Sequence, residues 1–86
     1  MNTVQILGNL TKDVDMRFTK NSKAVASFTV AATNSYINQE GQTTEQTSFI
    51  NCVAWGKLGE NVGKLKKGNR VFVEGRLQTR SYETLS

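Results

Sequence analysis

The stretch TSFINCVAWGKLGENV, residues Thr47 to Val62, changes period in its middle, and that change decides the fold. From Thr47 to Trp55 the residues alternate: Ile50, Cys52 and Ala54 face one way, Phe49, Asn51, Val53 and Trp55 the other, as in a strand. Gly56 breaks the alternation. Leu58, Val62 and Leu65 then recur at the i, i+4, i+7 spacing of a helical stripe that ends at Gly68. Gly59 and Gly63 each cost about 1 kcal/mol relative to alanine inside a helix, so packing must hold this short element.

Reading outward, Ala24 to Ser35 is a long strand, with Ala26, Phe28, Val30 and Ala32 on one face and Ser27, Thr29, Ala31 and Thr33 on the other. The polar stretch Asn38 to Gln46 reads as an extended, mobile loop rather than a tight hairpin turn. Upstream, Thr3 to Leu10 alternates as a half-buried strand, with Gly8 marking a bulge or bend. Downstream, Arg70 to Leu77 is a fourth strand with Val71, Val73 and Leu77 inward and a bend at Gly75. Gln78 to Ser86 is mostly polar, with Tyr82 as its aromatic. Three strands, a helix and a fourth strand predict an all-β domain with one short helix, built as a small barrel or strongly curved sheet. The OB-fold, a Greek-key β-barrel, has this order followed by one more strand.

At 86 residues the chain supports one domain, residues 1–86, because a chain this short buries only roughly 60% of its unfolded surface. Histidine is absent and Cys52 is the sole cysteine, which excludes a Cys/His zinc site and any catalysis that relies on imidazole. One cysteine cannot form an internal disulfide, which points to a reducing setting. Met1 to Leu10 lacks the pattern of a secretory peptide, and the most apolar run, Ala24 to Ala32, falls short of the roughly 20 residues that cross a bilayer. The expectation is a soluble, cytoplasmic protein with no membrane partner, no metal and no cofactor.

The net charge is +4. Residues 1–45 carry four Lys/Arg against four Asp/Glu, and residues 46–86 carry seven against three, so the whole excess lies in the second half. That balance favours a polyanionic partner without identifying it. Cations fall close to aromatics: Lys57 follows Trp55 by two, Arg80 precedes Tyr82 by two, and Arg76 lies on the fourth strand. Phe49 and Trp55 share a strand face. If that face is open, it is a platform on which bases stack for about 1–3 kcal/mol each; if the strand is buried on both sides, the rings are core. Tyr36 and Tyr82 have polar neighbours and are poor core candidates. Lys64 and Lys66 read as a solvated helix end that complements the helix dipole. Cys52 alternates with inward positions and has no activating partner, so it reads as a small buried apolar residue. No glycine pattern marks a phosphate loop.

Four pieces taken in order, VQILGNLTKD (Val4 to Asp13), AVASFTVAAT (Ala24 to Thr33), TSFINCVAWGKLGENV (Thr47 to Val62) and KKGNRVFVEGRLQTRSY (Lys66 to Tyr82), resemble the bacterial-type single-stranded DNA-binding proteins. The resemblance implies an OB-fold that assembles into homo-oligomers, usually tetramers, around which single-stranded DNA wraps in replication, recombination and repair. It places the base-stacking aromatics on Tyr36, Phe49, Trp55 and Tyr82 and the backbone-contacting cations on Arg17, Lys57, Lys67 and Arg80. Arg76 joins the phosphate-binding set from its position on the fourth strand. The first strand, with Thr3, Val4, Gln5, Ile6 and Leu7, would pair with its equivalent across the subunit interface.

Departures from the family's pattern carry expectations of their own. Asn51, Gln78 and Ser81 stand where members often carry a cation, which implies a weaker electrostatic grip, and Val14 stands where proline is usual. The sequence ends in the loop after the fourth strand, so the fifth strand and the acidic tail that recruits replication and repair enzymes have no counterpart in it. The sheet would then have two unpaired edges. Two readings follow: a non-catalytic, sequence-independent binder of single-stranded DNA, or a truncated OB module that associates with full-length subunits and binds DNA weakly alone.

Overall fold

The computed structural model describes residues 2–78. Its elements run β1 (Val4–Leu10), β2 (Asp15–Phe18), β3 (Ala24–Ile37), β4 (Thr43–Trp55), α1 (Gly56–Val62) and β5 (Arg70–Gly75). The strand–helix switch falls at Trp55/Gly56, as the change of period predicts.

All pairings are antiparallel. β3 is the spine: β4 runs along one edge from Val25↔Trp55 to Ile37↔Thr43, while β2 and β1 share the other edge, at Phe18↔Ala24 to Asp15↔Ser27 and at Leu10↔Val30 and Asn9↔Ala31. β5 pairs with β1 from Asn9↔Arg70 to Val4↔Gly75. Among the described residues β4 and β5 each keep one edge without a strand partner. The result is an open, curved, mainly β sheet with one short helix, the OB architecture expected.

Apolar alternation on β3 builds the core. Ala24, Ala26, Phe28 and Val30 are buried there with Leu10 and Ala54, and Ile6, Val14, Met16, Cys52, Val62, Leu65, Val71 and Val73 pack around them. Val14, in the position where the family pattern has proline, thus contributes apolar contact to the core.

Several expectations are corrected. β2 was not foreseen: four residues with two charges carry little local signal, and the ladder with β3 is what holds them. The expected loop Asn38 to Gln46 is a tight turn followed by strand. Asn38 Oδ1 accepts from the backbone N–H of Glu40 at 3.0 Å and of Gln42 at 2.9 Å, and Asn38 N–H donates to the Gln42 carbonyl at 2.9 Å. The Asn38 side chain and backbone together close the hairpin. Gly8 marks no bulge, since the β1–β5 register runs through Gly8↔Val71 without a break. Leu77 is exposed rather than inward, because β5 ends at Gly75. On α1 Gly59 is buried against the Ala54 and Ala24 carbonyls and Val62 packs on the core as expected, while Leu58 is exposed and Leu65 packs from beyond the helix end.

Candidate nucleic-acid interface

Residues paired across antiparallel strands share a face, so the registers define rows on the side of the sheet away from the core. One row runs Arg17, Val25, Trp55; the next Asp15, Ser27, Val53; then Thr29 and Asn51; then Arg70, Asn9, Ala31, Phe49. Trp55, Val53 and Phe49 are 53%, 54% and 67% exposed, which decides between the two readings of this strand: the face is open. Its polar members are tied to one another, Thr29 Oγ1 donating to Asn51 Oδ1 at 2.9 Å and the Thr33 and Thr47 hydroxyls meeting at 2.9 Å. That leaves a surface of flat rings and short polar groups, the composition a stacking platform needs.

Tyr36 is also half exposed, but it pairs with Thr44 and stands on the opposite pleat phase from Phe49 and Trp55, near the hairpin tip. The structure therefore joins Phe49 and Trp55 on one face and puts Tyr36 on the other side of the arm. Tyr82 and Arg80 lie outside the described residues.

Among the expected cations, Arg17 shares the row of Trp55, and its Nε donates to Asp15 Oδ2 at 3.2 Å in an exposed pair. Lys57 is exposed on the first turn of α1. Lys67 lies in the turn before β5, its backbone N–H donating to Asp13 Oδ1 at 2.8 Å, and that turn is anchored to β1 by Leu10 N–H to the Asn69 carbonyl at 2.9 Å. Arg76 follows the end of β5, at the opposite end of the β1–β5 ladder from Arg70.

Three cations near the platform escaped the sequence reading. Arg70 ends the row of Phe49. Lys12 lines a cleft of about 240 Å³ with Asp15, Ser27, Thr29, Asn51 and Val53. Lys23 holds its Nζ 5.6 Å from the centre of the Trp55 ring. Strand registers place Arg70, and turns that fold back on the sheet place Lys12 and Lys23, so nothing in local sequence spacing could have found them.

The expected interface strand has two unlike faces. Val4 and Ile6 are half-buried toward the core, whereas Thr3, Gln5 and Leu7 are exposed. Gln5 Nε2 donates to Glu74 Oε2 at 2.8 Å, and exposed Leu7 pairs with exposed Phe72. β1 meets β3 only at Asn9 and Leu10, and a cavity of about 390 Å³ separates Gln5, Ile6 and Leu7 from Ala32, Thr33 and Ile50.

Cys52 is half-buried, its Sγ 3.7 Å from the Ile50 carbonyl, and burial pushes its thiol above the usual range. It is a neutral packing group. Among the described residues no cluster of His, Cys, Asp or Glu could hold a metal ion, and no helix is long and apolar enough to cross a membrane.

Comparison with known proteins agrees with this geometry. The model of the single-strand binding protein family matches residues 1–86. Over 84 residues, 96% of this chain, the sequence is 52% identical to the single-stranded DNA-binding protein of Bacillus cereus and 49% identical to single-stranded DNA-binding protein A of Bacillus subtilis. The match covers 48% of each, so the chain spans about half the length of these relatives. A deletion mutant of the single-stranded DNA binding protein from Thermus aquaticus superposes with a TM-score of 0.89 at 33% identity, over 98% of this chain and 42% of that one.

Proposed function

The chain belongs to the single-strand binding protein family, and from that premise we propose that it binds single-stranded DNA without sequence preference and without catalysis. Bases stack on Phe49 and Trp55, with Tyr36 and Tyr82 as further stacking residues, while Arg17, Lys57, Lys67, Arg76 and Arg80 neutralise phosphates. The observation that carries this reading is the open face on which both rings stand half exposed or more, beside Arg17 in the row of Trp55. Stacking is sequence-tolerant because every base has a π-face, and a groove of cations tracks any backbone alike. Such binding protects exposed strands in replication, recombination and repair, in the cytoplasm and at the nucleoid.

Trp55 is the one tryptophan of the chain, so fluorescence excited selectively at the indole reports on the platform. Titration with oligothymidine at low salt should quench it; neither quenching nor a mobility shift of the oligonucleotide would refute the proposal.

Assembly belongs to the same reading. The Val4–Gly8 stretch of β1 has a strand partner only on the β5 side, and an unpaired edge is a template for a strand from another copy. A homo-oligomer, a tetramer by family likeness, would use Thr3, Val4, Gln5, Ile6 and Leu7. The second reading, an OB module that joins full-length subunits and binds DNA weakly alone, draws on the free edges of β4 and β5 among the described residues. Light scattering separates the two, since a stable tetramer that binds DNA unaided excludes the second.

A further inference from the structure

Lys23 reaches Trp55 from the turn between β2 and β3. That turn is tightly built: Thr19 N–H donates to the Lys23 carbonyl at 2.9 Å, Ser22 N–H to the Thr19 carbonyl at 2.9 Å, and Lys23 N–H to Thr19 Oγ1 at 3.1 Å. Ser22 is held at φ +62°, a left-handed conformation uncommon for a residue with a side chain. From this pedestal the Lys23 stem passes by Gly56, where a Cβ would stand 3.9 Å from its Cε, and the ammonium ends over the Trp55 ring at 5.6 Å. A cation within about 6 Å of an indole face is attracted by the ring quadrupole. The Trp55 side chain is otherwise half exposed, within reach of a nucleobase.

We propose that Lys23 is a further DNA-contacting residue with two positions: over Trp55 in the free protein, and on the flanking phosphate once a base takes its place on the ring. This rests on the single-stranded DNA reading above. Two observations point to it. The lysine is exposed and reaches the ring from a separate turn, so displacing it breaks no core contact. It also stands at the Trp55 end of the platform, where Arg17 is a second cation in the row and a phosphate between neighbouring bases would meet both. In the free protein the ammonium shields the ring; in the complex it supplies a charge where the strand passes.

The test compares the unsubstituted protein with Lys23→Ala, Lys23→Gln and Lys23→Arg, using oligothymidine as the probe. Acrylamide quenching of Trp55 in the free proteins should be greater for the Ala and Gln variants, and the difference should vanish on saturation with oligothymidine. The slope of log affinity against log salt should become shallower by about 0.7 in Ala and Gln and stay unchanged in Arg. A salt slope equal to that of the unsubstituted protein in all variants would overturn the phosphate contact, and equal quenching in all free proteins would overturn the covering of the ring. If the unsubstituted protein itself fails to bind oligothymidine, the DNA reading falls and this proposal with it; binding with no effect of Lys23 overturns this proposal alone.

Discussion

Gly8 lies so close to Ala31 that a Cβ built on it would overlap the Ala31 carbonyl oxygen and stand 2.8 Å from Val30 Cγ1. The contact falls where β1 meets β3, beside the Asn9↔Ala31 pair that carries much of this short ladder. Gly8→Ala should therefore force the two strands apart and cost roughly 1–3 kcal/mol. Urea unfolding would show a lower midpoint at similar slope; an unchanged midpoint would mean that the backbone accommodates the methyl.

Phe49 and Trp55 stand six residues apart on β4, which is about 20 Å along an extended strand. Trp55→Ala and Phe49→Ala should each weaken oligothymidine binding by roughly 1–3 kcal/mol. At that separation the two losses should add to within about 0.5 kcal/mol in the double variant. Anisotropy of a labelled oligonucleotide measures all three, and unchanged affinity in either single variant would remove that ring from the platform.

Arg17 is held by Asp15 on the exposed face, and that carboxylate also lines the cleft beside Val53. A phosphate arriving there meets a cation already engaged and a like charge next to it. Asp15→Asn should tighten binding, most at low salt where screening is weakest. Arg17→Ala should weaken it and reduce the salt slope by about 0.7. Filter binding across a salt series checks both, and equal affinities for Asp15→Asn and the unsubstituted protein would place Asp15 away from the strand's path.

Cys52 offers a pH signature. Burial raises its pKa in the folded state, so the folded protein holds the thiol proton at pH values where the unfolded chain releases it. The sign follows: stability is full below the unfolded-state pKa and falls as pH rises above it. Alkylation of Cys52 should be slow in the native protein and accelerate in urea at the same pH. Cys52→Ala should flatten the alkaline part of the stability profile, and identical native and denatured labelling rates would show that the thiol is not shielded.

The residues of β3 and β4 carry their own instructions. Their alternation of side chains is a local property, and it predicts the strands and their division into one set with Ala26, Phe28, Val30 and Ala54 and an opposite set with Phe49, Val53 and Trp55. The switch to helix at Gly56 is equally local, since a change from period two to period 3.6 can be read within a few residues. The family pattern is legible in the same way, because it consists of short runs in order.

What the linear chain leaves undecided is whatever depends on residues far apart. Whether the Phe49 and Trp55 face is open or buried turns on what covers it, and alternation is identical in both cases. β2 exists because β3 offers it a ladder, and it brings Arg17 to the row of Trp55. Arg70 joins the row of Phe49 through the registers of three strand pairs, and Lys23 meets the Trp55 ring from a turn 32 positions away in the chain. Sequence by itself determined the periodicity, and with it the long strands, the switch to helix and the two sets of side chains on either face of β3 and β4. Tertiary structure alone decided which outward set is exposed and which cations stand beside it, because exposure and electrostatic proximity are set by distance in space and not along the chain.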